Sequence, residues 1–352
     1  MNLDNLKMFI KKHPRLDSFL FIISNISNKE ICKDIIGLKR NPYLIKIDKC
    51  GLLNPENLIY FINFDENYSV NGFCSLYRSL LLQLSYADDL NFLPVVYWGE
   101  NNLYFDEEFK DSSNVFEYYF KPLNDITVDE VLNSKHVIVS KPANENALGT
   151  AAGYKFSDDE MRFLSVVNKK YIKLNDRILT YFGDIFKKTL SHKVLGVHVR
   201  ATDFNKGYNR HPVVVTPYEY LEATKKVADR YDYIFLATDD EKVCQLFISE
   251  FKDKLIYYKD TYRSKDGEAI HYGNENVKRP QHKYLLGMEI LRDFYTLGYC
   301  TGLIAGHSNV SVCARIIRYS QESYYDYVNI IDKGINNNMH ETRSIFKPMI
   351  KK

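Results

Sequence analysis

Apolar residues in the second half of the chain fall into short runs separated by amphipathic stretches. The first run, 194–199, is interrupted only by His198 and reads as a buried parallel strand. Similar runs at 233–237, 254–258, 301–305 and 327–331 predict four more strands. Between them, 3.6-residue periodicity predicts a helix starting at Pro217, then helices at about 241–251 and 283–297 and one running through Ile317. Proline suits a first helical turn, where its missing N–H has no partner to lose. Strands alternating with helices predict a doubly wound parallel sheet.

The first half is less regular. Residues 57–63 read as a strand leading into a turn-rich loop. A long helix follows, with Leu76, Leu80, Leu84 and Ala87 at helical spacing, and then a strand at 93–98. Ser27 and Glu30 form a capping-box pattern. Residues 99–160 read as polar and irregular. The aromatics within 112–120 suit either ordinary packing, the favoured reading, or an acceptor groove. From Ser157 an amphipathic helix is expected through Phe163, Val166, Val167 and Ile172, and on to Leu179 and Ile185. We expect an N-terminal α/β domain at 1–190 and a C-terminal Rossmann-like domain at 191–352, since a single core rarely grows past ~300 residues.

Composition narrows the function classes. A net charge of +2 across 352 residues gives no bulk attraction for nucleic acid. The six cysteines form no metal-spaced or CxxC pattern. Cys244, Cys300 and Cys313 read as buried hydrophobes in a reducing compartment. No apolar run approaches the ~20 residues that span a bilayer, and no secretory signal is recognised at the N-terminus. The expectation is a cytoplasmic protein without a transmembrane segment, with room for peripheral contact at the inner face of a bacterial membrane.

Chemistry gathers at three predicted strand ends: His198, Arg200 and Asp203; Asp239 and Asp240; His307, Ser308 and Asn309. Ligands of open α/β sheets bind outside such ends. A planar, always-charged Arg200 suits a phosphate oxygen. The turn at 306–309 opens a helix, whose free N–H groups and dipole favour an anion. Together they are suited to clamp a diphosphate. The plainer reading pairs Arg200 with Asp203 in a structural turn. For Asp239 and Asp240, adjacent carboxylates do not converge on one cation, so a substrate contact or helix N-cap is preferred to a metal site. On the helix at 283–297, Glu289 is expected on a solvated face and Asp293 as a buried carboxylate with a donor partner. In the first half, Asn71, Gly72 and Phe73 precede a helix and permit close approach of a phosphate or sugar; a simple helix cap is the alternative.

Three segments, His-Val-Arg-Ala-Thr-Asp at 198–203, Phe-Leu-Ala-Thr-Asp-Asp at 235–240 and Leu-Ile-Ala-Gly-His-Ser-Asn at 303–309, resemble in order and spacing the donor-site motifs of the fucosyltransferase superfamily. The loop at 71–76 resembles its N-terminal Gly-rich loop. The resemblance covers about 190–320 well and 60–100 thinly. It implies a GT-B fold of two Rossmann-like domains, the first on the acceptor side. It also implies GDP-fucose as donor, a glycan or glycolipid hydroxyl as acceptor, and metal-independent transfer with inversion. Arg200 would hold the β-phosphate, and His198 and Asp293 would contact guanine. Ser308 and Asn309 would contact phosphate, and Asp239 and Asp240 would be the carboxylate pair required for activity. Two positions depart from the α1,6 enzymes: Ala201 replaces a second arginine, and Tyr208 falls where a glutamate base is proposed. Asp203 and His211 are then the nearest candidate bases. A different nucleotide sugar, or a non-catalytic nucleotide- or sugar-binding module, are the competing readings.

Overall fold

The computed structural model describes residues 47–48, 51–65, 71–109, 111–140, 156–201, 212–265 and 277–336. Two α/β units appear in chain order. The first contains β1 (Ile47–Asp48), β2 (Ile59–Asn63), α1 (Phe73–Asp89), β3 (Leu93–Tyr97), α2 (Val115–Tyr119), α3 (Val128–Leu132), β4 (Val137–Val139), α4 (Asp158–Tyr171), α5 (Asp176–Thr180) and α6 (Gly183–Ser191). The second contains β5 (Val194–Val199), α7 (Pro217–Lys225), β6 (Tyr233–Thr238), α8 (Glu241–Phe251), β7 (Leu255–Ile256), α9 (His282–Tyr299), β8 (Gly302–Gly306), α10 (Asn309–Ser320) and β9 (Tyr327–Ile331).

In the second unit five parallel strands lie in the order β7-β6-β5-β8-β9. All six residues of β5 are buried, as a central strand covered on both faces requires. Leu195, Val197 and Val199 pack on the side of α7 and α8, with Tyr220, Val243 and Phe247. Val194, Phe235, Ala237 and Ala305 lie in the other core, with Leu291, Leu297 and Ile316 of α9 and α10. The sheet is therefore doubly wound. The first unit's sheet has the order β1-β4-β2-β3, with β4, β2 and β3 parallel and β1 antiparallel at the edge. The fold is the expected pair of Rossmann-like sheets, consistent with the GT-B type.

Two expectations for the first unit need correction. The segment 99–160 is not uniformly irregular, since it supplies α2, α3 and β4. These elements are three to five residues long, too short for a periodic signal, and tertiary contacts define them. The helix from Ser157 does not run on to Ile185; it breaks at Ile172 into α4, α5 and α6. Its buried face carries Met161, Leu164 and Val167, while Phe163 and Val166 are exposed. The aromatics of α2 are core, as the favoured reading had it: Phe116, Tyr118 and Tyr119 are buried.

The units are closely joined. One core cluster takes residues from both sheets. Asp106 accepts N–H bonds from Lys283 (3.0 Å) and Tyr284 (3.2 Å) at the start of α9. The Tyr119 hydroxyl donates to the Tyr284 carbonyl at 3.0 Å. It fits because residue 287 is glycine: a Cβ there would stand 2.1 Å from that hydroxyl. These contacts fix α9, and with it Asp293, against the first unit.

Candidate functional site

Topology singles out one crevice. From β5 the chain moves outward to β6 and β7, then returns to place β8 on the other flank of β5. Strand order reverses between β5 and β8, which is where ligands of open α/β sheets bind. A shallow cleft opens at these strand ends. His198, Arg200, His307 and Ser308, four of the residues singled out in the sequence, line it. Val215, Tyr220, Ile331 and Lys333 line it too, and none was anticipated.

Register decides how Arg200 is held. Val199 pairs with Thr238, so residues 200 and 239 leave their strands side by side. Arg200 Nη1 lies 3.3 Å from Asp239 Oδ2. Asp239 Oδ1 accepts the Ala201 N–H at 3.3 Å. One carboxylate thus fixes both the backbone and the guanidinium at the end of β5, which limits the rotamer freedom a bound anion would otherwise have to remove. Asp240 does different work. It is the N-cap of α8, its Oδ1 accepting the Val243 N–H at 3.0 Å.

The other wall is the start of α10. Ser308 is its N-cap and accepts the Ser311 N–H at 3.1 Å. No acidic side chain occupies the first turn, so the positive end of the helix is not neutralised from within. Ser308 Oγ lies 3.5 Å from His198 Nδ1. Burial, and then the charge of Arg200, push His198 from its ordinary value near 6.5 down to about 3. At neutral pH it is an uncharged imidazole with one donor and one acceptor nitrogen. His307 Nε2 lies 3.3 Å from Asp332 Oδ2, just beyond β9. Asn309 Oδ1 accepts from Arg78 Nη1 of α1 at 3.0 Å. Residue 306 is glycine where space forbids more, since a Cβ would stand 2.4 Å from the Tyr220 hydroxyl.

Asp293 sits on α9, on the sheet face toward which strand alternation turns His198. It is partly buried and makes no hydrogen bond or ion pair among the described residues, so the expected donor partner is not supplied by them. Burial raises it to about 7, against the pull of Arg292 and Arg263 and with the repulsion of Glu289 and Asp260. The Cys74 thiol feels both the Arg200 guanidinium and the Asp293 carboxylate, so the start of α1 lies near both. Gly72 caps α1 with open space around it. Asn71 is partly exposed. Phe73 departs from the expected ligand contact: its ring is buried edge-on against Trp98, Tyr104 and Tyr119, and its N–H donates to the Tyr104 hydroxyl at 2.7 Å. Glu289 also departs from expectation. It is buried rather than solvated and takes Arg279 Nη1 at 2.5 Å. Asp203, Tyr208 and His211 lie outside the described residues.

Lys333 and Asp332 could have been found by carrying the strand-end rule one strand further, past Ile331. Tyr220 gave no such signal, because it reaches the cleft from a helix whose packing is tertiary. Among the described residues no group of three His, Cys, Asp or Glu is placed to hold a metal ion. No helix among them is long and apolar enough to cross a membrane.

The structure resembles fucosyltransferases. It is similar to NodZ alpha-1,6-fucosyltransferase soaked with GDP-fucose, at 16% identity and TM-score 0.44, covering 74% of this chain and 92% of that one. Fucosyltransferase NodZ from Bradyrhizobium gives 16% identity and TM-score 0.42 over 75% of this chain and 92% of that one. POFUT1 in complex with GDP gives 10% identity and TM-score 0.41 over 81% of this chain and 99% of that one. No protein-family model and no curated protein matches the sequence.

Proposed function

We propose that the protein is an inverting glycosyltransferase that transfers L-fucose from GDP-fucose to a hydroxyl of a glycan or glycolipid. The observation carrying this reading is the pairing, across one strand-order reversal, of a carboxylate-held Arg200 with the acid-free N-terminus of α10. Glycosyl transfer builds negative charge on the departing diphosphate. A guanidinium and helix N–H groups already aimed at that charge stabilise it without reorganising. Arg200 takes the charge-stabilising role, so no metal is assigned. Fucose and guanine follow from the likeness of 198–203, 235–240 and 303–309 to the superfamily motifs. His198 and Asp293 are assigned to the base, and Ser308 and Asn309 to the phosphates. Asp203 or His211 is assigned to deprotonating the acceptor, which would contribute about 10²–10⁴-fold. The domain division is read at 190/191, with the acceptor on the N-terminal side.

The test is turnover of GDP-fucose by purified protein with a panel of glycan acceptors, followed for released GDP. Arg200→Ala should lower turnover by about 10²–10³-fold while the protein stays folded. Undiminished turnover in that variant would overturn the reading. A second reading, a non-catalytic nucleotide-binding module, is favoured by one observation: no carboxylate lies between Asp203 and Glu219. GDP binding without hydrolysis or transfer would select it.

A further inference from the structure

We infer that Lys333 is a second binding residue for the donor's diphosphate, reaching it from the β9 side of the cleft. This rests on the donor reading above. Among the described residues, Arg200 and Lys333 are the Arg and Lys side chains that line the cleft. The strand order puts β8 between β5 and β9. His198 lies opposite Ala305, and Ala305 opposite Ile330. Arg200 and Lys333 therefore leave the sheet within one residue of the same level. Two strand spacings, roughly 10 Å, separate their backbones. Between them Ser308 lines the cleft and caps α10. A diphosphate seated on that helix N-terminus has a cation on each flank, within reach of an extended side chain from either side.

Each cation is held by one carboxylate. Asp239 holds Arg200. Glu219 holds Lys333, whose Nζ lies 3.0 Å from Oε1 and 3.1 Å from Oε2. Glu219 is itself fixed by the start of α7. It completes a capping box with Thr216, accepting the Thr216 N–H at 2.8 Å and the Thr216 hydroxyl at 2.9 Å. The backbone beside Lys333 is tied as well. The Gly334 N–H donates to Asp332 Oδ1 at 2.8 Å, and the Gly334 carbonyl accepts the Val213 N–H at 2.9 Å. The ammonium is thus aimed before a ligand arrives, which lowers the ordering cost of binding. It carries three donors, so a phosphate oxygen can be added without breaking the pair with Glu219. Both partners are more than a third exposed, and an ion pair at that exposure contributes little to stability. Holding a cation in the wall of an anion cleft is the use that remains for it.

The informative pair of variants is Lys333→Gln and Glu219→Gln. The first removes the cation. The second keeps it and removes the neighbouring negative charge, and glutamine still serves in a capping box. Both positions are partly exposed, so both proteins should stay folded. Titration calorimetry of the full chain is run with GDP and with guanosine, the latter at millimolar concentration. Lys333→Gln should lose about fivefold to thirtyfold for GDP and less than about threefold for guanosine. Glu219→Gln should bind GDP at least as tightly as wild type, because an anion beside the diphosphate is gone. Equal losses for both ligands in Lys333→Gln, or unchanged GDP affinity there, would overturn the inference. Weaker GDP binding in Glu219→Gln would mean that the ion pair rather than the cation matters, and would overturn it too. A wild-type protein that ignores GDP would instead remove the donor reading itself, so the two failures are distinguishable.

Discussion

Under the proposed donor reading, Asp293 should make the affinity for a guanine nucleotide a function of pH. It is held at about 7, mainly by burial, and lacks a hydrogen-bond partner among the described residues. If its carboxylate accepts the N–H groups of guanine, only the ionised form binds well. The dissociation constant should then scale as one plus the protonated-to-ionised ratio. Between pH 8 and pH 6 that is a weakening of about tenfold, the effect of one pH unit below the titration point. Binding below pH 7 should release a proton, seen as calorimetric heat that changes with the buffer's ionisation enthalpy. The phosphates of GDP titrate near ~6 and contribute their own slope, so the control is Asp293→Asn, which should keep only that slope. The same substitution has a stability signature of known sign. The folded-state value is raised above the unfolded one, so the penalty is absent at low pH and grows as pH rises toward and through 7. Asp293→Asn should therefore raise the melting temperature of the unliganded protein at pH 8 and leave it nearly unchanged at pH 4. Identical pH profiles for wild type and variant, in binding and in melting, would refute this assignment.

Three further outcomes test the framework around the site. Gly287→Ala gains about 1 kcal/mol of helix propensity but drives a methyl to 2.1 Å from the Tyr119 hydroxyl, whose ring is packed against Phe73 and Tyr284. Overpacking costs about 1–3 kcal/mol and the Tyr119–Tyr284 bond about 1 more, so chemical denaturation should show net destabilisation. Arg279→Ala leaves Glu289 buried without its main partner and should cost about 3 kcal/mol in the same assay, with Glu289→Gln milder because no charge remains. His198, depressed to about 3, gives stability that is present above about 6.5 and lost as pH falls toward 3, because the unfolded chain takes the proton first. Urea midpoints of His198→Asn should fall less steeply than wild type across that window.

The doubly wound unit is legible because its signals are local and redundant. The boundaries of β5, α7 and α8 follow from a fully buried apolar run, a proline in a first turn and a capping aspartate. Elements such as β4, three residues long, have no periodicity to read and exist through pairing with β2. The buried face of α4 is not legible from spacing alone, because Phe163 and Val166 are apolar at helical spacing yet exposed, while Met161, Leu164 and Val167 face inward. At the site, residue types at strand ends were readable, but partners were not. Asp239 reaches Arg200 through strand register, and Arg78 reaches Asn309 through the packing of α1 on α10. Glu289 shows the same limit, since its partner Arg279 lies in an irregular segment.

The proposed function rests on a guanine-diphosphate site anchored by Arg200. The measurement that tests it most directly is titration calorimetry of wild type and Arg200→Ala against GDP and UDP in the presence of EDTA. GDP should bind more tightly than UDP, EDTA should not matter, and Arg200→Ala should lose about tenfold to a hundredfold for GDP. Equal affinity for the two nucleotides, or an Arg200→Ala protein that binds GDP like wild type, would contradict it.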